Sequence, residues 1–175
     1  MLGKLETVPA VDRPDLLAPP VVTALALSTL DGVLVAPIDP DLADTAAFCE
    51  AYAVGLEVSA NCVVVAGKRE GETRYAACMV LATTRADVNG VVRRQLDVRK
   101  ASFAPMVDAV ALTGMEYGGI TPVGLPEGWP ILVDAAVAAT PLVVIGSGVR
   151  RSKLVLPGAT LAALPGAVVI EGLAG

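Results

Sequence analysis

Every apolar stretch of this chain is short, and glycine or proline cuts each of them. That pattern governs the fold, because hydrophobic residues fill 54% of the 175 positions and mean hydropathy is +0.66. A helix that spans a membrane takes roughly 18 to 20 uninterrupted apolar residues. The longest candidates, LLAPPVVTALALSTL and AAVAATPLVVIGSGV, fall short of that and are broken by proline or glycine. They read instead as buried strands and turns of one globular domain, long enough to bury a core without staples. Lys4 is followed by Glu6, Asp12 and Asp15 rather than by an apolar leader, so no membrane partner and a cytoplasmic location are expected.

The chain contains no histidine. That removes the commonest general base, the Ser/His and Cys/His nucleophile pairs, and the usual metal ligand. Cys49, Cys62 and Cys78 show neither zinc spacing nor a disulfide framework, and the last two sit in apolar runs that suit a small buried side chain. No metal and no cofactor are expected. The net charge of −5 is unevenly spread: residues 1–60 hold 2 basic and 9 acidic side chains, and residues 61–175 hold 11 and 9. Basic residues cluster at Arg93 and Arg94, at Arg99 and Lys100, and at Arg150, Arg151 and Lys153. A solvated surface and a phosphate-contacting face both fit such clusters.

Residues 1–20 read as an irregular lead-in, and residues 21–175 as the domain proper. Val21 to Leu27 reads as a strand, Asp31-Gly32 as a turn before a short strand, and Asp44 as the N-cap of a helix that Gly55 stops. NCVVVA and RYAACMVLA read as strands joined by the polar connection GKREGET. Helices are expected over Asp87 to Leu96 and over Pro105 to Thr113, the second stopped by Gly114. PILVD, PLVVIG, KLVLP and AVVIE follow as short strands, with PGATLAAL as a single helix. Strands and helices mix without strict alternation, so an α+β single domain is expected. Neither GxGxxG nor GxxxxGK[ST] occurs.

The segment most unlike the rest is TGMEYGGITPVGLP, Thr113 to Pro126, with four glycines and two prolines. Gly118 and Gly119 leave backbone N–H groups uncovered, while Pro122 and Pro126 restrict the chain's exit. Such a loop is either a connection that needs tight turns or a rigid backbone wall that approaches a ligand and its developing oxyanion.

This segment, taken in order with NCVVVAGKREGETRYAACMVLATTRADVN, PILVDAAV and PLVVIGSGVRRSKLVLPG, resembles the YbaK/EbsC family. That family is related to the editing domain of bacterial prolyl-tRNA synthetase. The resemblance covers roughly Asp44 to Leu173 and implies a mixed, strongly curved, barrel-like sheet surrounded by helices. It also implies a trans-acting aminoacyl-tRNA deacylase that hydrolyses the ester of mischarged tRNA, with the tRNA acceptor end as partner. The GxxxP pattern, Gly118 to Pro122, would hold the aminoacyl group, with Gly118 and Gly119 at the oxyanion and Ile120, Thr121 and Pro122 lining the pocket. Asp134 matches the family's pocket aspartate, though it reads equally as a helix N-cap. Thr84, Arg85, Gly146 and Ser147 would lie at the pocket rim. Arg93, Arg94, Arg150, Arg151 and Lys153 are the candidates for tRNA contact.

One departure from the family matters: Asn61 stands where its editing members generally carry a lysine thought to meet the tRNA 3′ end. Asparagine can hydrogen-bond a ribose hydroxyl or a phosphate but supplies no charge. Three readings follow: an intact deacylase whose tRNA grip has moved, a catalytically silent relative that binds RNA or another ligand, and a hydrolase of a different small acyl ester. The apolar surplus is compatible with a monomer or a homodimer.

Overall fold

The computed structural model describes residues 2–28 and 30–175. After two short strands, β1 (Val8–Pro9) and β2 (Leu34–Pro37), come the longest, β3 (Ala60–Arg69) and β4 (Glu72–Leu81). These two pair antiparallel through most of GKREGET and leave only Glu70-Gly71 as the turn. Both turn residues have positive φ, 52° and 80°, the primed geometry whose twist matches that of the flanking strands.

β3 and β4 sit inside a five-stranded sheet of order β5-β3-β4-β6-β9, with β5 at Ala101–Phe103, β6 at Ile131–Asp134 and β9 at Ala167–Ile170. Pairing is antiparallel from β5 to β4 and parallel from β4 through β6 to β9. A second, antiparallel sheet has the order β1-β2-β8-β7, with β7 at Val143–Gly146 and β8 at Ser152–Leu156. The sheets touch through a parallel bridge between Ser59 and Val144. The mixed α+β domain is therefore as expected, but the barrel-like sheet is not. Among the described residues there are two open sheets, and one bridge beside a four-residue strand cannot propagate a ladder around a closed wall.

Parity along the strands places the core. Val35, Ile131, Val133, Val143, Ile145, Leu154 and Leu156 face the space between the sheets, where they form the main cluster. Their neighbours Leu132, Val144 and Val155 face outward into two smaller clusters. Strands buried on both faces read as unbroken apolar runs, which is why VVV and LVVI show no alternation.

Val21 to Leu27, expected as a strand, belongs instead to a helix, α1 (Pro19–Leu27). Pro19 and Pro20 occupy its first turn, where the missing amide protons would have no intrahelical partner anyway. Residues 2–18 of the lead-in hold β1 and short 3₁₀ turns, yet bury Leu5, Ala10, Leu16, Leu17 and Ala18. They are part of the core. The next helix, α2 (Thr45–Tyr52), follows Asp44 as expected but ends at Ala53, which takes the left-handed conformation at φ 54°, before Gly55 is reached. A π-helical turn, Val88–Val92, leads into α3 (Arg93–Leu96), and the Asp87 carboxylate accepts from the Gly90 and Val91 amides. α4 (Met106–Thr113) ends at Gly114, and the short α5 (Ala135–Ala138) and α6 (Gly158–Ala162) follow. Among the described residues no helix is long and apolar enough to cross a membrane.

The Gly-rich loop packs on α1 through bare backbone. Gly124 has φ 93°, and a Cβ there would lie 2.5 Å from the Pro20 carbonyl oxygen and 2.7 Å from its carbon. Neither contact can yield without moving main chain. Gly124→Ala should therefore cost about 1–3 kcal/mol or more. Urea denaturation is the measurement; an unchanged midpoint would contradict this packing.

Candidate active site

The same parity that builds the core carries a lysine of β8 inside. Leu154 and Leu156 point into the main core, so Lys153 and Val155 share the opposite face of β8, the face that α2 covers. A cavity of about 240 Å³ opens there. The residues before and at the start of α2 (Ala43, Asp44, Thr45) and the start of β3 (Ala60, Asn61, Cys62) form two of its walls. Tyr117, Gly118 and Ile120 form a third, and Gly146 and Lys153 close it.

Its polar groups are held from several elements. Thr45 Oγ1 donates to Asn61 Oδ1 at 2.6 Å, which fixes the amide and leaves its nitrogen without a hydrogen bond among the described residues. Lys153 is 8% exposed; its Nζ donates to the Ala43 carbonyl at 3.0 Å and lies 5.1 Å from the centre of the Phe48 ring. Burial pushes the Lys153 ammonium below the ordinary lysine range; Cys49 and Asp44 oppose that shift and Arg150 adds to it. Asp44 heads α2 without capping it, and its Oδ1 lies 3.5 Å from Arg150 Nη1. Arg150 also donates to the Tyr117 carbonyl at 3.3 Å, so its guanidinium spans the mouth beside Gly118.

The loop is fixed from behind by main chain packed on main chain. A Cβ on Gly119 would lie 2.7 Å from the Val149 carbonyl oxygen, and one on Gly146 would lie 2.6 Å from the Gly119 carbonyl oxygen. The Gly119 amide donates to the Glu116 carbonyl at 3.0 Å, and the Gly119 carbonyl accepts from the Gly148 amide at 2.6 Å. Of the two amides expected at an oxyanion, Gly119's is thus engaged, while Gly118's makes no hydrogen bond among the described residues.

The residues singled out in the sequence divide accordingly. Asn61, Gly118, Ile120, Gly146 and Lys153 converge on the cavity. Asp134 is buried at the N-cap of α5, makes no side-chain capping bond, and does not line it. Thr121 is fully buried with its hydroxyl unpartnered among the described residues. Pro122 lines a larger cavity of about 660 Å³ on the α1 side of the loop. Ser147 is buried and donates to the carbonyls of Val149 and Ser152, both at 3.1 Å. Thr84 Oγ1 donates to the Leu81 carbonyl at 2.8 Å, and the Arg85 amide donates to the Gly175 carbonyl at 3.1 Å, both away from the cavity. The basic cluster also splits. Arg151 donates to the Asp15 carbonyl, Arg93 and Arg94 ride on α3, and only Arg150 and Lys153 reach the site.

The larger cavity has Glu127 as its one charged lining residue and otherwise Leu27, Leu30, Val123, Leu125, Ile131 and Leu164 among mostly apolar walls. A polar ester and its ammonium would lose solvation there with little in return. The smaller, polar cavity is the better site for chemistry. Among the described residues no three His, Cys, Asp or Glu side chains are grouped to hold a metal ion.

A model of the aminoacyl-tRNA editing domain matches residues 39–164. The chain belongs to this family. Three solved structures share the fold of this editing domain. One is a candidate trans-editing enzyme for prolyl tRNA synthetase, at 23% identity and a TM-score of 0.74, over 88% of this chain and 94% of that one. A scaffold for computational grafting of linear epitopes matches at 23% and 0.75, over 88% and 95%. The hypothetical protein APE2540 matches at 20% and 0.69, over 82% and 91%. Comparison with curated proteins returns no match.

Asp44 and Thr45 escaped the sequence reading because an acid before a helix reads as a cap. Lys153 reads in the sequence as one of a basic cluster with Arg150 and Arg151. The signal that separates it is the strand SKLVLP itself, where two leucines fix one face and leave the lysine on another that must also be covered.

Cys62 lines the cavity, but burial, with a contribution from Cys78, pushes its thiol up; burial pushes Cys78 up to about 12. With such a pKa about one Cys78 thiol in ten thousand is ionised at pH 8. Cys62 and Cys78 should therefore react with a thiol reagent at pH 8 far more slowly in the folded protein than in the urea-unfolded chain. Rapid reaction of Cys62 or Cys78 in the native state would contradict the assignment of these two thiols as structural.

Proposed function

We propose that this editing domain hydrolyses the ester of mischarged aminoacyl-tRNA in trans, with the aminoacyl group in the small polar cavity. The observation that carries this reading is the convergence of Gly118, Asn61 and Asp44 on one cavity. An ester is already activated, so a site without histidine can work by positioning water and stabilising charge. The Gly118 amide, which makes no hydrogen bond among the described residues, would donate to the carbonyl oxygen. Asp44 supplies a negative charge for the substrate's α-ammonium; it is Asp44, and not the Asp134 that the resemblance matches to the family's pocket aspartate, that lines the cavity. Asn61 offers its amide nitrogen to a ribose hydroxyl.

At about 240 Å³ the cavity is smaller than the roughly 300–1,000 Å³ of sites that enclose drug-sized ligands. It accepts a compact aminoacyl group and leaves the terminal nucleotide outside, with Arg150 at the mouth for its phosphate. Full-length protein assayed against a panel of mischarged tRNAs should release small aminoacyl groups at least tenfold faster than aromatic ones. Absence of turnover on every member of the panel, from folded protein, would overturn the reading; retained tRNA with intact ester would identify a binding module instead.

A further inference from the structure

Lys153 is the one buried lysine or arginine among the described residues, and it belongs to none of their ion pairs. Its resident partners are a carbonyl oxygen and the face of an aromatic ring. Both attract a cation, but neither neutralises it. Desolvating a charge without a counter-ion works against folding, and apolar residues of similar volume often serve stability better. The ammonium also has three protons, and Ala43 accepts one. A cation kept in this condition, in the wall of a polar cavity, is set for an anion that arrives with a ligand.

Its position selects the anion. Gly146, opposite Lys153 in the β7–β8 register, packs against the Gly119 and Ile120 carbonyls. The loop is therefore held against the strand pair that carries the lysine, and Gly118 and Lys153 line one cavity. Arg150, partly exposed at the mouth, is the cation that meets solvent and phosphate; Lys153, 8% exposed, lies deeper.

We infer that Lys153 is a catalytic residue, with its Nζ and the Gly118 amide together stabilising the oxyanion that forms at the ester carbonyl. This inference rests on the cavity being the aminoacyl site. Water oxygen bonds to the carbonyl carbon, and the carbonyl π electrons move onto oxygen, which meets the ammonium. As the tetrahedral intermediate collapses, the carbon–oxygen bond to ribose breaks. The ribose oxygen takes up a proton derived from the water, leaving the amino acid and a free tRNA hydroxyl. The positive charge absent from position 61 thus enters from β8, for the reacting carbonyl rather than for the tRNA backbone.

The test compares wild type with Lys153→Met on two probes that carry no phosphodiester. On an aminoacyl-adenosine ester, kcat should fall about 100-fold or more with KM little changed. Binding of an adenosine 3′-aminoalkylphosphonate, an anionic mimic of the tetrahedral intermediate, should weaken at least tenfold, with binding of the neutral aminoacylamide unchanged. The melting temperature should equal or exceed that of wild type, which a structural lysine would not allow. Should Lys153→Met fail to fold, Lys153→Gln, which can still donate to Ala43, carries the same comparison. Retained kcat and phosphonate preference would overturn the inference, as would a defect confined to KM on phosphate-bearing substrates. Phosphonate binding that depends on Lys153 in a wild type without turnover would sink the deacylase reading and leave the oxyanion site standing. If wild type binds neither probe, both fall.

Discussion

Backbone packed directly on backbone holds this molecule's site together. The turn after β7 and the GGI segment approach so closely that Gly119 and Gly146 have no room for a Cβ, and the Gly148 amide donates to the Gly119 carbonyl at 2.6 Å. That contact joins a loop with no regular structure to a strand pair anchored in the core. Everything in the cavity depends on it, because Gly118 comes from the loop, Lys153 from β8, Asn61 from β3 and Asp44 from the approach to α2. A side chain at either glycine would push the walls apart by main-chain movement, which no rotamer change can relieve.

The second determinant is electrostatic. The cavity lies where the outer face of the four-stranded sheet meets α2, so Lys153 reaches it past Phe48 and the Ala43 carbonyl rather than through water. Charges in such surroundings are screened less than at the surface, and a fixed donor or ammonium acts more strongly on developing charge. The Asp44–Arg150 pair stands at the more open end, with Asp44's side chain 79% and Arg150's 31% exposed. A lysine in the interior and an acid–base pair at the mouth are what the proposed substrate would require, with its carbonyl inward and its ammonium and phosphate near solvent.

Much of this was legible in the sequence, and the exceptions have physical causes. The β3–β4 hairpin, the strands PILVD, PLVVIG and KLVLP and the stop at Gly114 could be read because β-branched runs and Gly/Pro punctuation act locally. Val21 to Leu27 was misread because an apolar run buried on one face has no strong period, and Pro19-Pro20 looked like a boundary rather than a first helical turn. The open pair of sheets could not be read, since they meet through contacts far apart in sequence, among them the bridge between Ser59 and Val144 and the shared core. That the loop packs tightly and walls a cavity was legible from its glycines. The engaged state of the Gly119 amide was not, because its acceptor, Glu116, belongs to the same loop and only the folded geometry brings them together. Asn61 looked like a missing charge for a similar reason: the residue that supplies one lies 92 positions further along the chain, on a strand of the other sheet.

The most direct test is a crystal structure of the protein with a non-hydrolysable aminoacyl-adenosine amide. The carbonyl oxygen should lie within hydrogen-bonding distance, roughly 2.7–3.2 Å, of both Lys153 Nζ and the Gly118 amide, with the ammonium toward Asp44. An analogue seated instead in the larger apolar cavity between α1 and Pro122–Pro130, or bound with its carbonyl turned away from Lys153, would contradict the site and its chemistry.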